Sequence, residues 1–152
     1  MSTNARSGLI FPTVEWFQAL QELVNADPDF RRLGSIDATM GVKVGTNIYV
    51  ITFEAFECSE VRVGTEYDLI DLDFFLEMSE AAWQDLIRNT RENGGADLKH
   101  TLNTLDLMSQ DGISKNATGD QLRADLFFRV NQSLQHFFDS SAKLDTIFPL
   151  GT

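Results

Sequence analysis

Hydrophobic and polar positions change period twice along the chain, and each change marks a new kind of element. After Pro12, Thr13 stands at a cap position, and Trp16, Phe17, Leu20, Leu23 and Val24 recur at spacings of three and four, which predicts an amphipathic helix with one buried face. Asp27-Pro28 offers a second start with proline at the first helical position, and Phe30 and Leu33 carry a short helix to Gly34. From Ile36 to Val44 the period falls to two: Ile36, Ala38, Met40, Val42 and Val44 share one side, with Asp37, Thr39 and Lys43 on the other. Gly45-Thr46-Asn47 is turn chemistry, so Ile48 to Phe56, rich in β-branched and aromatic residues, folds back as a hairpin partner. Near its start that segment is apolar on both sides, which predicts a position inside a sheet. Glu60 to Val63 and Tyr67 to Met78, separated by Gly64-Thr65, add further strand. In the second of them Leu72, Phe74, Leu76 and Met78 alternate with Asp71, Asp73 and Glu77, and Phe75 is out of phase.

Helical spacing returns at Ser79, a cap ahead of Glu80, Ala81, Ala82, Trp83, Leu86 and Ile87, until Asn93-Gly94-Gly95 breaks it. Asp97 is placed to cap another helix with Leu98, Leu102 and Leu105 on its apolar face and Met108 beside them, ending near Asp111-Gly112. Thr118 and Gln121 have capping-box spacing. Leu122, Leu126, Phe127, Val130, Leu134, Phe137 and Phe138 then fall on a stripe of about 160° at 100° per residue, which predicts one long helix. The order helix, strands, helices gives an α+β class: an antiparallel sheet of three to five strands covered on one face by helices, with an N-terminal helix and a long C-terminal helix. A length of 152 residues suits one core, read as a single domain over residues 13–148 after an N-terminal extension of residues 1–12.

Composition narrows the function classes. Twelve Lys and Arg against 23 Asp and Glu leave a net charge of −11, which repels nucleic acid and anionic lipid headgroups. Cys58 is the one cysteine, so no intrachain disulfide can form, and a reducing compartment is expected. The stretch Met1 to Gly8 is polar, and Leu9-Ile10-Phe11 is too short for a signal-peptide core. With no apolar run of about 18 residues, no transmembrane helix is expected, and the protein is placed in the cytoplasm.

Catalytic chemistry has little to work with. His100 and His136 lie on predicted helices, outside any metal-binding motif, and read as surface residues. No zinc-protease, paired-cysteine, phosphate-loop or nucleophile-elbow pattern occurs, and neither a metal nor a cofactor is expected. Asp71 and Asp73 sit two apart on one strand face, where mutual repulsion could raise one pKa; alternation with Leu72 and Phe74 reads more simply as a solvated face. Glu57 and Glu60 beside Cys58 disfavour a thiolate.

What remains is apolar bulk, with 12 Phe, two Trp and two Tyr. Such side chains either fill a core or line a cavity for an elongated apolar molecule. The string Asp71-Leu72-Asp73-Phe74-Phe75-Leu76-Glu77-Met78-Ser79-Glu80-Ala81-Ala82-Trp83-Gln84-Asp85-Leu86-Ile87 resembles the sterol carrier protein type 2-like family. There an alternating strand also runs into a serine-capped helix with an acidic start and an aromatic at the position of Trp83. The order of elements agrees over roughly residues 13–90. Family members return to the sheet after this helix through a strand, whereas here Asp97 to Met108 reads as helical.

The resemblance implies a hydrophobic tunnel that carries lipids, fatty acyl chains or sterols without catalysis. The leading reading is therefore a carrier for an apolar small molecule, its cavity lined from Ile51, Phe53, Phe74, Leu76, Trp83, Leu86, Phe127, Val130, Leu134 and Phe137. One alternative is a small isomerase or cyclase using Asp73 in an apolar pocket. Another is an accessory subunit, or a homodimer, that binds through the last helix with Phe128 and Phe138 as anchors.

Overall fold

The computed structural model describes residues 8–149. Thr13 sits in extended backbone with its hydroxyl accepting the Trp16 amide, and helix α1 (Val14–Asn25) turns Trp16, Phe17, Leu20 and Val24 inward. Ahead of it, strand β1 (Leu9–Ile10) pairs in parallel with a strand from the far end of the chain, and Phe11 is fully buried. Residues 8–12 are therefore part of the fold; residues 1–7 of the expected extension lie outside the described residues. Asp27 accepts the Asp29 amide to start the short helix α2 (Pro28–Arg32), which buries Phe30.

Strands β2 (Ala38–Val44), β3 (Asn47–Glu54) and β4 (Glu57–Gly64) form an antiparallel meander. The fourth strand, β5 (Phe74–Met78), lies on the other side of β2 and runs parallel to it, and the two-residue β6 (Ser114–Lys115) closes the order β4-β3-β2-β5-β6. The sheet is thus mixed rather than wholly antiparallel. Residues 65–73, expected largely as strand, cross behind the sheet, with a 3-10 turn at Asp68–Asp71. That crossover lays Leu69 and Leu72 against Ile48, Val50 and Phe75 in a second, smaller cluster. Phase is explained at the same time: Phe74 and Leu76 face the main core, and Phe75 packs on the back. Leu72, expected on the side of Phe74, belongs to the back because the strand has not yet begun there.

Ser79 caps α3 (Glu80–Asn93), and Gly94 at φ 73° ends it in the left-handed conformation that glycine adopts without a Cβ penalty. Asp97 caps only a turn; Thr101 starts α4 (Leu102–Met108), so Leu98 stands 87 % exposed instead of on an apolar helix face. The long C-terminal helix is broken into α5 (Gln121–Ala124), α6 (Leu126–Arg129) and α7 (Asn131–Asp139). Asp120, not Thr118, caps the first of these, and Asn116 accepts the Thr118 and Asp120 amides in the turn before it. The breaks at Asp125 and Val130 re-aim the stripe. Phe127 enters the core against Phe74 at 6.1 Å, while Leu122 is left in solvent.

Helices α1, α3 and α7 cover the front of the sheet over a core built from rings. Phe53 meets Phe137 edge-on at 5.5 Å, Phe137 meets Phe138 at 5.3 Å, and Trp83 lies 5.4 Å from Phe138. Such pairs add about 0.5–1.5 kcal/mol each beyond their burial. Both buried indoles keep a partner for their N–H: Trp83 donates to the Lys43 carbonyl at 2.8 Å and Trp16 to the Thr146 hydroxyl at 3.0 Å. The final strand β7 (Thr146–Ile147) completes the pairing with β1.

Gly41 is the point of closest approach between sheet and crossover: a Cβ there would lie 2.9 Å from both Leu72 Cδ1 and Phe75 Cβ. Because Phe75 Cβ is fixed to the strand backbone, Gly41→Ala should destabilise the fold by about 1–3 kcal/mol. Urea unfolding checks this; an unchanged midpoint would show that the crossover yields freely.

Candidate functional site

The sheet and helices bring the ten residues proposed from sequence into one cluster. Ile51 and Phe53 come from β3, Phe74 and Leu76 from β5, Trp83 and Leu86 from α3, Phe127 from α6, and Leu134 and Phe137 from α7; each is at most 1 % exposed. Val130 is half-buried against them. Their side chains pack on one another, and none lines the surface clefts described next.

One of these clefts abuts the same core. A groove of about 360 Å³ runs between the start of α3 and the end of α4, lined by Glu77, Met78, Ser79, Ala82, Leu105, Met108, Ser109 and Ile113. Ile113 is buried in the main core, and Met78 and Leu105 pack against it, so the floor of the groove is the outer surface of the core itself. Met108, 81 % exposed, forms the rim. Local chemistry sets these positions: Ser79 starts α3 so that Ala82 faces the groove, and Asp106 accepts the amides of Ile113 at 2.7 Å and Ser114 at 3.2 Å, folding the loop after α4 back onto it.

Glu77 is the charged member of the lining. Its carboxylate receives Lys115 at 3.0 Å and Lys43 at 3.4 Å, and Lys43 also reaches Glu66 at 3.2 Å. Burial works against the Glu77 charge, but the two ammonium groups outweigh it and hold the carboxyl below its ordinary range. Its anion is therefore a fixed feature of the groove mouth near neutral pH.

A larger open cleft of about 550 Å³ is lined by Asp106, Asp111, Asp120 and Asp125 together with Lys115, Asn116 and Phe128. Three of these carboxylates already serve the backbone or a neighbour: Asp106 as above, Asp120 as the α5 cap, and Asp125 as acceptor for Gln121 at 2.7 Å. Among the described residues no group of three His, Cys, Asp or Glu is placed to hold a metal ion.

The remaining candidates take structural positions. Asp73 accepts the Thr39 amide at 2.9 Å and lies 3.7 Å from the Arg123 guanidinium, stapling β5 to β2. Asp71, at the end of the 3-10 turn, is exposed. Of the two proposed interface anchors, Phe138 is fully buried in the core, whereas Phe128 is half exposed, 5.1 Å from Phe127. Both histidines are engaged rather than free on the surface: His136 pairs with Asp27 at 2.7 Å, joining α7 to α2, and His100 bridges Asp85 and Asp97. Of these partners only Asp97, three residues from His100, is near in sequence; Asp85 lies 15 positions from His100 and Asp27 lies 109 from His136, so periodicity does not signal them. No helix among the described residues is long and apolar enough to cross a membrane. Compared with family models, curated proteins and solved structures, the chain matches none.

Cys58 is buried where α1 meets β4, its backbone held by the Asn25 side chain at 2.8 and 2.9 Å, and burial pushes its thiol up to about 12. Its alkylation by iodoacetamide at about pH 8 should be at least a hundredfold slower in the native protein than in urea, because the thiolate is the reactive form. Equal rates, read by mass spectrometry, would mean that the α1–β4 contact opens readily.

Proposed function

We propose that the protein is a non-catalytic carrier of a lipid, fatty acyl or sterol-like molecule, taken up through the groove between α3 and α4. One observation carries this reading: an open cleft whose floor is the hydrophobic core and whose rim displays apolar side chains to water. A volume of about 360 Å³ falls within the range of about 300–1,000 Å³ common to small-molecule sites, which are mainly apolar with a few placed polar groups. Met78, Ala82, Leu105, Met108 and Ile113 supply the apolar surface; Glu77, Ser79 and Ser109 supply the polar groups. In this reading the ligand's apolar end rests on Met78, Leu105 and Ile113, and the ten core residues lie packed behind that floor.

The resemblance to the sterol carrier protein type 2-like family supports the same reading. The helical segment expected after α3 is present as α4, and the chain returns to the sheet only after it, at the two-residue β6 antiparallel to β5. Affinity would come from burial, at about 0.8 kcal/mol for each methylene removed from water, less the cost of association.

The test is native mass spectrometry of the purified protein, followed by denaturation and lipid analysis, together with titration by a pyrene-labelled long-chain alcohol. Bound lipid, or saturable probe binding, is the expected result; a second copy would appear in the same spectrum. The double substitution Leu105→Gln and Met108→Gln should weaken probe binding at least tenfold with thermal unfolding little changed, because Met108 is exposed and Leu105 only partly covered. Full binding by the folded double variant would remove the groove as the route of entry.

A further inference from the structure

The side of α3 that looks toward α4 changes chemistry along its length. Ala82 lines the groove with Leu105 and Met108, and one and two turns further on Asp85 and Asn89 hold the segment 97–100 that leads into α4. Asn89 makes a reciprocal pair with Asp97, its amide donating to the carboxylate at 2.9 Å and its carbonyl accepting the Asp97 backbone amide at 3.0 Å. Asp97 also receives the Lys99 amide at 3.0 Å and lies 2.7 Å from His100 Nδ1. On the other side of the ring, His100 Nε2 is 2.8 Å from the Asp85 carboxylate.

One imidazole therefore spans two carboxylates, one on its own turn and one on α3. A neutral imidazole has one N–H and one lone pair, so it satisfies one carboxylate and turns a lone pair toward the other. Only the imidazolium, with a proton on each nitrogen, fits both contacts. The groups facing the ring are these two carboxylates. Lys99 contributes a backbone amide to Asp97, and α7, packed against α4, presents the uncharged Gln135, which accepts the Leu102 amide at 2.8 Å.

We propose that His100 is a proton-operated latch that fixes the spacing of α3 and α4 and so sets how far the groove between them opens. When the ring loses a proton, the bond to Asp85 is the one released. Asp97 is held by Asn89 and the Lys99 amide as well as by the ring, whereas Asp85 is 70 % exposed and returns to water easily. Leu102 stays seated, fully buried and bonded to Gln135, and α4 pivots there. The bonds to Asp97 and Asp85, working against partial burial, hold the His100 pKa above the usual histidine range, and Asp97 is pushed down to about 2 chiefly by its bond to His100. A pKa raised by folding gives stability that is fully present below the unfolded value and lost as pH climbs through the folded one. The latch is thus closed at pH values below the ordinary histidine range and opens as pH climbs through the raised folded value. The consequence for ligand entry rests on the carrier reading; the latch itself does not.

Three measurements on the full chain separate these points. The His100 ring is titrated by NMR, and hydrogen exchange of residues 97–109 is followed over the same pH range with intrinsic rates divided out. Protection there should fall at least fivefold with its midpoint at the His100 titration, while β2 and β3 amides hold steady; His100→Gln should lack the step and show the lower protection throughout. A flat profile in the native chain, or a step retained in His100→Gln, would overturn the latch. Uptake of the pyrene-labelled alcohol, uncharged across the range, should quicken over the same step. Uptake that ignores the step overturns control of the groove by the latch, and no uptake at any pH alongside a clear step overturns the carrier reading while the latch stands.

Discussion

Everything at the groove follows from the crossover behind the sheet. A chain leaving β4 at one edge could have turned back as another antiparallel strand; instead Leu69 and Leu72 are drawn onto Ile48, Val50 and Phe75, and the chain re-enters on the far side of β2. Burial of those five side chains, each worth about 1.5–3 kcal/mol, anchors the connection. β5 must then run parallel to β2, and its last residues deliver Ser79 to the position where α3 starts. Gly41 matters because its missing side chain is the space into which the crossover closes. The groove mouth, the α3 axis and the Glu77 pair with Lys43 and Lys115 are all downstream of that contact.

Acidic residues outnumber basic ones almost two to one, yet much of that charge has local employment. Asp27 starts α2 and Asp120 starts α5, Asp73 takes the Thr39 amide, Asp106 takes two amides of the loop after α4, and Asp139 takes the Ala96 amide. A carboxylate that accepts backbone N–H groups satisfies donors that would otherwise be unpaired where regular structure stops. This suits a chain whose second half is made of short helices and turns.

The sequence was legible wherever one local rule decided the outcome. Thr13 and Ser79 were readable as caps, and strict alternation from Ala38 to Val44 announced a strand, because cap geometry and pleat are properties of neighbouring residues. The ten apolar positions read from the pattern do meet in one cluster. Legibility failed where a distant partner decided. Leu72 looked like strand and serves the crossover; Leu122 looked like core, but the breaks at Asp125 and Val130 rotate it into water so that Phe127 can reach Phe74. The pair of His136 with Asp27 was invisible for the same reason, since the two meet only after α2 and α7 have packed. The groove itself arises from the separation of two helix ends, which periodicity does not record.

The pairing of β1 with β7 has a temporal side. Leu9 and Ile10 find their partners at Thr146 and Ile147, and the Trp16 indole finds its acceptor at Thr146, 130 positions along the chain. Phe11 likewise lies 6.1 Å from Phe148. Contacts that join such distant residues close the largest loops and reward the chain late. On a ribosome, which issues residues in order, Phe11 and Trp16 wait some 130 residues for their partners, and β1 completes its packing only once β7 has emerged.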